Sequence, residues 1–156
     1  MPTITYEEAA QRVHEAGMRM TAPRQTLLRL VLANEQPFSV EHLYAQALEA
    51  GLECSLSTVY RNLEAFVQVH LVDEIPGDGT RLYSWHDSAE TGAHVFCLDC
   101  RRMTTLAGMK NETGAPDNAL SQALSQGGFD ASTVRMMLAA HCMTKTCAED
   151  DLDAEG

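Results

Sequence analysis

The chain has 156 residues, 22 acidic against 11 basic side chains, a formal charge of −11 and a hydrophobic content of 45%. That length holds one compact domain or two small ones, and that apolar content excludes global disorder. No stretch reaches the roughly 18 apolar residues of a membrane span, and the start, MPTITYEEAAQRV, lacks the basic and apolar segments of a secretory signal, so a cytoplasmic protein without a membrane partner is expected.

The acidic balance counts against nucleic acid, because duplex binding replaces phosphate counterions with Lys and Arg, but the field that acts is local. Part of the negative charge lies in Glu149, Asp150, Asp151, Asp153 and Glu155, a run without a base. Residues 148–156 are expected to be a solvated, disordered tail.

In chain order, Tyr6 to Ala16 predicts a helix with Ala9, Ala10 and Val13 on one face. Thr21-Ala22-Pro23-Arg24 is a helix start with Thr21 as N-cap, and Leu27, Leu28, Val31 and Leu32 recur behind it at helical spacing. Ser39 opens a third helix with Val40, Leu43, Tyr44, Ala47 and Leu48 as its buried stripe and Gly51 as its stop. Ser57 or Ser55 caps a fourth, with Val59, Leu63, Phe66 and Val67 inward. The pattern then changes to short strands, 71–75 and 80–83, joined by the turn signal Pro76-Gly77-Asp78-Gly79. Helices followed by such a hairpin predict a winged helix-turn-helix over residues 1–84. A polar hinge is expected over 85–93. Strands at 94–97 and 102–106, a helix at 118–125 and a strand at 133–140 then predict a small α/β domain over 94–147. The fold class is α+β.

The second helix of a helix-turn-helix lies in the major groove, with its N-terminal residues at base edges. Here that segment is Ser55 to Asn62, with Ser57, Thr58, Arg61 and Asn62 expected to face outward. Arg61 suits phosphate or guanine, and the Tyr60 ring suits a thymine methyl group or a half-buried place in the core. Arg19, Thr21 and Arg24, at the start of the second helix, join the expected DNA-binding set; the two arginines suit the DNA backbone, a narrow minor groove, or surface ion pairs.

Cys97-Leu98-Asp99-Cys100 and Cys142 with Cys147 form two close pairs. Each short spacer lets two thiolates reach one ion from a turn, and four Cys ligands leave no place for water, as in a structural zinc site. Two disulfides or buried thiols are the alternatives, and a cytoplasmic setting disfavours the former. His141 is a substitute ligand or a strand-end residue. The fifth, Cys54, suits a small buried apolar position or a sensor thiol.

Gly17-Met18-Arg19-Met20-Thr21-Ala22-Pro23-Arg24 followed by Ser57-Thr58-Val59-Tyr60-Arg61-Asn62-Leu63 resembles the DNA-binding domain of the ferric-uptake-regulator (Fur) family, and the Cys pairs resemble its dimerisation domain. The resemblance runs from Tyr6 to Cys147. It implies a metal-responsive regulator, a repressor in the usual case, that binds palindromic double-stranded DNA operators as a homodimer or a pair of dimers and carries structural zinc. It also implies that Arg19 enters the minor groove, Tyr60 meets thymine and Arg61 meets phosphate.

The family's sensing site matches poorly. His94 stands where the last histidine of a hinge cluster is usual, but Thr91-Gly92-Ala93, Pro37-Phe38 and Val134 stand where other ligands are usual. His86, Asp87, Glu90, His94 and Glu112 remain as a rearranged N/O set for iron(II), zinc or manganese. The alternative is a family member that has lost metal sensing. A zinc hydrolase built on His86, Asp87 and His94 has no positioned general base, so an enzyme is not expected. A winged helix that binds protein rather than DNA is the other rival.

Overall fold

The computed structural model describes residues 4–75, 79–85, 93–106, 118–131 and 136–143. The chain divides into two compact units, Met1–Ala89 and Glu90–Gly156.

The first unit carries α1 (Tyr6–Glu15), α2 (Ala22–Ala33), β1 (Phe38–Ser39), α3 (Val40–Glu49), α4 (Leu56–Gln68), β2 (Val72–Ile75) and β3 (Leu82–Trp85). Each helix start has a side-chain cap that satisfies an otherwise unpaired backbone N–H. Thr5 and Glu8 form a reciprocal capping box on α1, Thr21 caps α2, Ser39 caps α3 and Ser55, not Ser57, caps α4. Helices α1 and α3 stop at Gly17 and Gly51, both at φ +79, a conformation that only glycine adopts without strain.

The three-stranded sheet has the order β1-β3-β2 and is antiparallel throughout, with Phe38 opposite Tyr83 and Glu74 opposite Tyr83 on its other side. Strand β1 has no counterpart in the sequence reading, since two residues are too few to show a period. Leu27, Leu28, Val31, Leu43, Ala47, Val59, Leu63, Phe66, Val72 and Tyr83 are buried in one core shared by helices and sheet. Leu48 corrects the expected stripe of α3: it is 48% exposed, because Val40, Leu43 and Ala47 already fill the helix's inward face. Of the expected turn at 76–79 only Gly79 is described.

The second unit carries β4 (Ala93–Cys97), β5 (Met103–Leu106), α5 (Asn118–Gln126) and β6 (Met136–Ala140). Its sheet has the order β5-β4-β6, with β4 antiparallel to β5 and parallel to β6. Trp85 and Ala93, the two ends of the expected hinge, are strand residues in β3 and β4. The Trp85 indole N–H donates to the Asn34 carbonyl at 2.7 Å, which fixes it to the first unit. Among the described residues no helix is long and apolar enough to cross a membrane.

Candidate nucleic-acid interface and cysteine cluster

Helix α4 has two faces because its apolar side chains recur at three and four residues. Val59, Leu63, Ala65 and Phe66 are buried, while Ser57, Arg61 and Glu64 are exposed and Tyr60 is half-buried with its ring against the core. Asn62 departs from the expected outward set. It lies three residues after Val59, on the inward face, and is only 8% exposed.

Burying an amide requires partners, and Asn62 has them. Its Nδ2 donates to the Thr58 carbonyl at 2.8 Å, and its Oδ1 accepts from Arg24 Nε at 2.9 Å. Arg24 Nη1 in turn donates to the Arg19 carbonyl at 2.7 Å. The Arg24 guanidinium therefore braces the Arg19 loop against α4. Arg19 itself is exposed, and Thr21 is occupied at its cap, accepting from Arg24 N at 3.5 Å.

A second bridge joins α4 to the hairpin. Arg81 Nη1 donates to the Tyr60 hydroxyl at 2.8 Å, and Arg81 Nε lies 3.4 Å from Glu74 Oε1. An open groove of about 880 Å³ runs beside this bridge, walled by Val40, Leu56, Tyr60, Arg61, Thr80 and Arg81. Arg61 is exposed and so able to serve an anion; among the described residues its Nε makes a long 3.4 Å bond to the Ser57 carbonyl. Glu41 and Glu64 also border the groove and temper its positive charge. The sequence reading missed Arg81 and Glu74. The one available signal was a basic residue at the edge of a turn.

In the second unit the turn from β4 to β5 carries Cys97 and Cys100. Arg101 adopts φ +63, and the turn closes through Cys97 N–H to Arg102 O and Arg101 N–H to Cys97 O, each at 2.9 Å. Backbone N–H groups of Cys100 and Asp99 point at the Cys97 sulfur and hold its pKa below the ordinary thiol value. Such donors favour the thiolate, which is the metal-binding form. The parallel strand β6 delivers Cys142 alongside, and Asp99 pins it: Oδ2 accepts the Cys142 N–H at 2.8 Å, while Oδ1 lies 3.1 Å from His141 Nδ1. His141 is thus engaged by Asp99 from an exposed position.

The sulfurs of Cys97, Cys100 and Cys142 all lie within 4.8 Å of one another, a set that can hold a metal ion. Tetrahedral zinc with Zn–S near 2.3 Å places its sulfurs about 3.8 Å apart. The Cys97–Cys142 pair, at 2.9 Å, must open by about 0.9 Å to accept one. Cys142 is disulfide-bonded in this structure, so metal binding here requires the reduced form. Cys147 lies outside the described residues, as do His86, Asp87, Glu90 and Glu112 of the expected sensing set. His94 is described, half-buried in β4 opposite Thr105 and Met137. Cys54 is half-buried against the first unit's core, where burial pushes its thiol pKa up, as suits a packing residue rather than a reactive one.

The sequence and the fold both have known counterparts. The family model described as "Ferric uptake regulator family" matches residues 15–138. The chain is 33% identical over 97 residues to the ferric uptake regulation protein of Bacillus subtilis (strain 168), a match covering 58% of this chain and 63% of that one. It is 27% identical over 143 residues to the protein of the same name from Shigella flexneri, covering 91% of this chain and 93% of that one. Among solved structures, the ferric uptake regulator from Pseudomonas aeruginosa with manganese superposes with a TM-score of 0.68 at 25% identity, over 87% of this chain and 98% of that one. With its family model spanning most of its length, the chain belongs to the ferric uptake regulator family.

Proposed function

We propose that this protein is a transcriptional regulator, a repressor, that binds palindromic duplex DNA as a homodimer and controls metal homeostasis. The first unit acts as a winged-helix reader with α4 in the major groove, and the second unit holds the dimer together. One observation carries the reading: Ser57, Tyr60 and Arg61 stand on one end of α4 beside the hairpin, with the helix's inward face, Val59, Leu63 and Phe66, anchored in the core. Arg61 grips phosphate, Tyr60 meets a thymine methyl group, Ser57 and Thr58 hydrogen-bond nearby, and the exposed Arg19 reaches the minor groove. Arg24 and Asn62 serve this surface from behind it.

The test uses an operator selected from random duplexes. Arg61→Ala is expected to weaken binding to operator and random DNA alike and to reduce the salt slope by about 1. Tyr60→Ala is expected to lower preference for the operator by about 1–3 kcal/mol at one thymine position. Wild-type binding by both variants would refute α4 as the reader.

Four cysteines, Cys97, Cys100, Cys142 and Cys147, hold the structural zinc. A second divalent metal, iron(II), zinc or manganese, joins His94 with His86, Asp87, Glu90 or Glu112. The usual ligand positions occupied by Thr91-Gly92-Ala93, Pro37-Phe38 and Val134 make this site weak. Appreciable operator binding is therefore expected before any of these metals is added, with a modest further gain during titration. An all-or-none metal requirement, abolished by His86→Ala with His94→Ala, would overturn that expectation.

A further inference from the structure

A tyrosine that reads a thymine methyl group must present its ring in one orientation, yet a phenol at the edge of a helix can turn about two side-chain bonds. Here the ring's inner part packs against the core and its outer end is held. The Tyr60 hydroxyl accepts from Arg81 Nη1 at 2.8 Å, across the groove between α4 and the hairpin. Arg81 is fixed in turn from the sheet side, with Nε 3.4 Å from Glu74 Oε1. Glu74 sits at the surface of edge strand β2, paired opposite Tyr83, a buried residue of the central strand, so the far end of the bridge is tied to the sheet. Leu56, one turn before Tyr60 and 42% exposed, lines the same groove. An apolar side chain and an aromatic ring thus stand together where a methyl group would be received.

We infer that Arg81 is a positioning residue for base reading: by anchoring the Tyr60 hydroxyl it fixes the ring, couples the hairpin to α4 and sets the preference for thymine at one operator position. The inference rests on the reading of α4 as the DNA-contacting helix. A bare phosphate clamp would need only the charge of Arg81. Two of its guanidinium nitrogens instead face Glu74 and Tyr60, and the carboxylate offsets the charge that a phosphate would feel.

The experiment is a double-mutant cycle on the full chain with its metal retained. Operator and shuffled duplexes are titrated with wild type, Tyr60→Phe, Arg81→Met and the double variant. Tyr60→Phe removes only the hydroxyl, and Arg81→Met keeps the apolar stem. Both residues lie at the surface, and thermal unfolding verifies that each variant folds. Each single change is expected to lower the operator-to-shuffled ratio by about three- to ten-fold, the worth of one hydrogen bond. Arg81→Met also removes the guanidinium's contacts with Glu74 and Tyr83, so the double variant should be no worse in that ratio than Arg81→Met alone, the Tyr60 contact being already gone. Arg81→Met will also weaken shuffled DNA, whereas Tyr60→Phe will not. A wild-type ratio for Tyr60→Phe, or additive losses in the cycle, would overturn the inference. Tyr60→Ala and Arg61→Ala, run beside the cycle, separate the two failures. If they bind like wild type, α4 is not the reader. If they lose binding while the cycle shows no coupling, only the role of Arg81 falls.

Discussion

Cys97→Ser or Cys142→Ser is expected to strip the chain of tightly bound zinc and to unfold its second unit. The cause is the small size of that unit: among its described residues, three strands and one helix, Phe96 is buried but other large apolar side chains are not. Leu138 is 41% exposed and Phe129 is 66% exposed. Small units of this kind depend on a staple, and structural zinc supplies about 10–16 kcal/mol of binding energy that becomes folding energy. The geometry suits a staple because Cys97 and Cys100 leave the β4–β5 turn while Cys142 follows β6, so one ion ties both edges of the sheet's end. Metal analysis should find about one zinc per wild-type chain in reducing buffer, and none in either variant, while Cys54→Ser keeps its metal. Circular dichroism and sedimentation should show the variants losing structure and dimer together. Thiol titration of the denatured protein separates the rival chemistry, because a disulfide at Cys142 would leave two fewer reactive thiols than the five in the sequence. A metal-free variant that stays folded and dimeric would end the zinc assignment.

Asp99, between the first two cysteines, also belongs to this site. Its carboxylate holds the Cys142 backbone and His141 at once, the kind of outer support that orients metal ligands. Nothing in the order of residues 97–100 signals that contact, because its partners are some forty positions away.

What the sequence made legible follows the same physical division. Local signals carried through: Thr21 and Ser39 cap their helices, Gly51 stops α3, and Leu27, Leu28, Val31, Val59, Leu63 and Phe66 are buried as their spacing predicts. Long-range satisfaction of polar groups did not. Asn62 suggests an outward contact by its polarity, although its place in the repeat with Val59 and Phe66 is an inward one. Its amide could be buried only because Arg24, 38 residues earlier, arrives to bond it. Arg81 carries no local signal for the same reason, since its partner Tyr60 is 21 residues away on another element. The sensing site stands apart: of its five expected ligands only His94 is among the described residues.

Arg24 gives the sharpest contrast between a sequence reading and a structural one. As a phosphate contact, it would lose DNA affinity on substitution, lower the salt slope by about 1 and leave stability unchanged. As a brace, it behaves differently. Its Nε bonds the Asn62 amide and its Nη1 bonds the Arg19 carbonyl. Arg24→Met should therefore leave a buried amide oxygen and a loop carbonyl without their charged donor. Hydrogen bonds to charged groups contribute about 1.5–3 kcal/mol. In a unit of this size each kcal/mol shifts the melting temperature by about 4–8 °C. A fall of roughly 8–16 °C in the first unit's melting temperature is expected for a loss near 2 kcal/mol. Asn62→Ala should do much the same, and the two together little more, since they break one network. Operator affinity should fall in both variants at temperatures where they remain folded, because the Arg19 loop loses its register with α4, while the salt slope stays near the wild-type value. Thermal unfolding and a salt series on the same preparations decide the matter. An unchanged melting temperature with a reduced salt slope would return Arg24 to the DNA surface and leave Asn62 a buried amide without a role in reading.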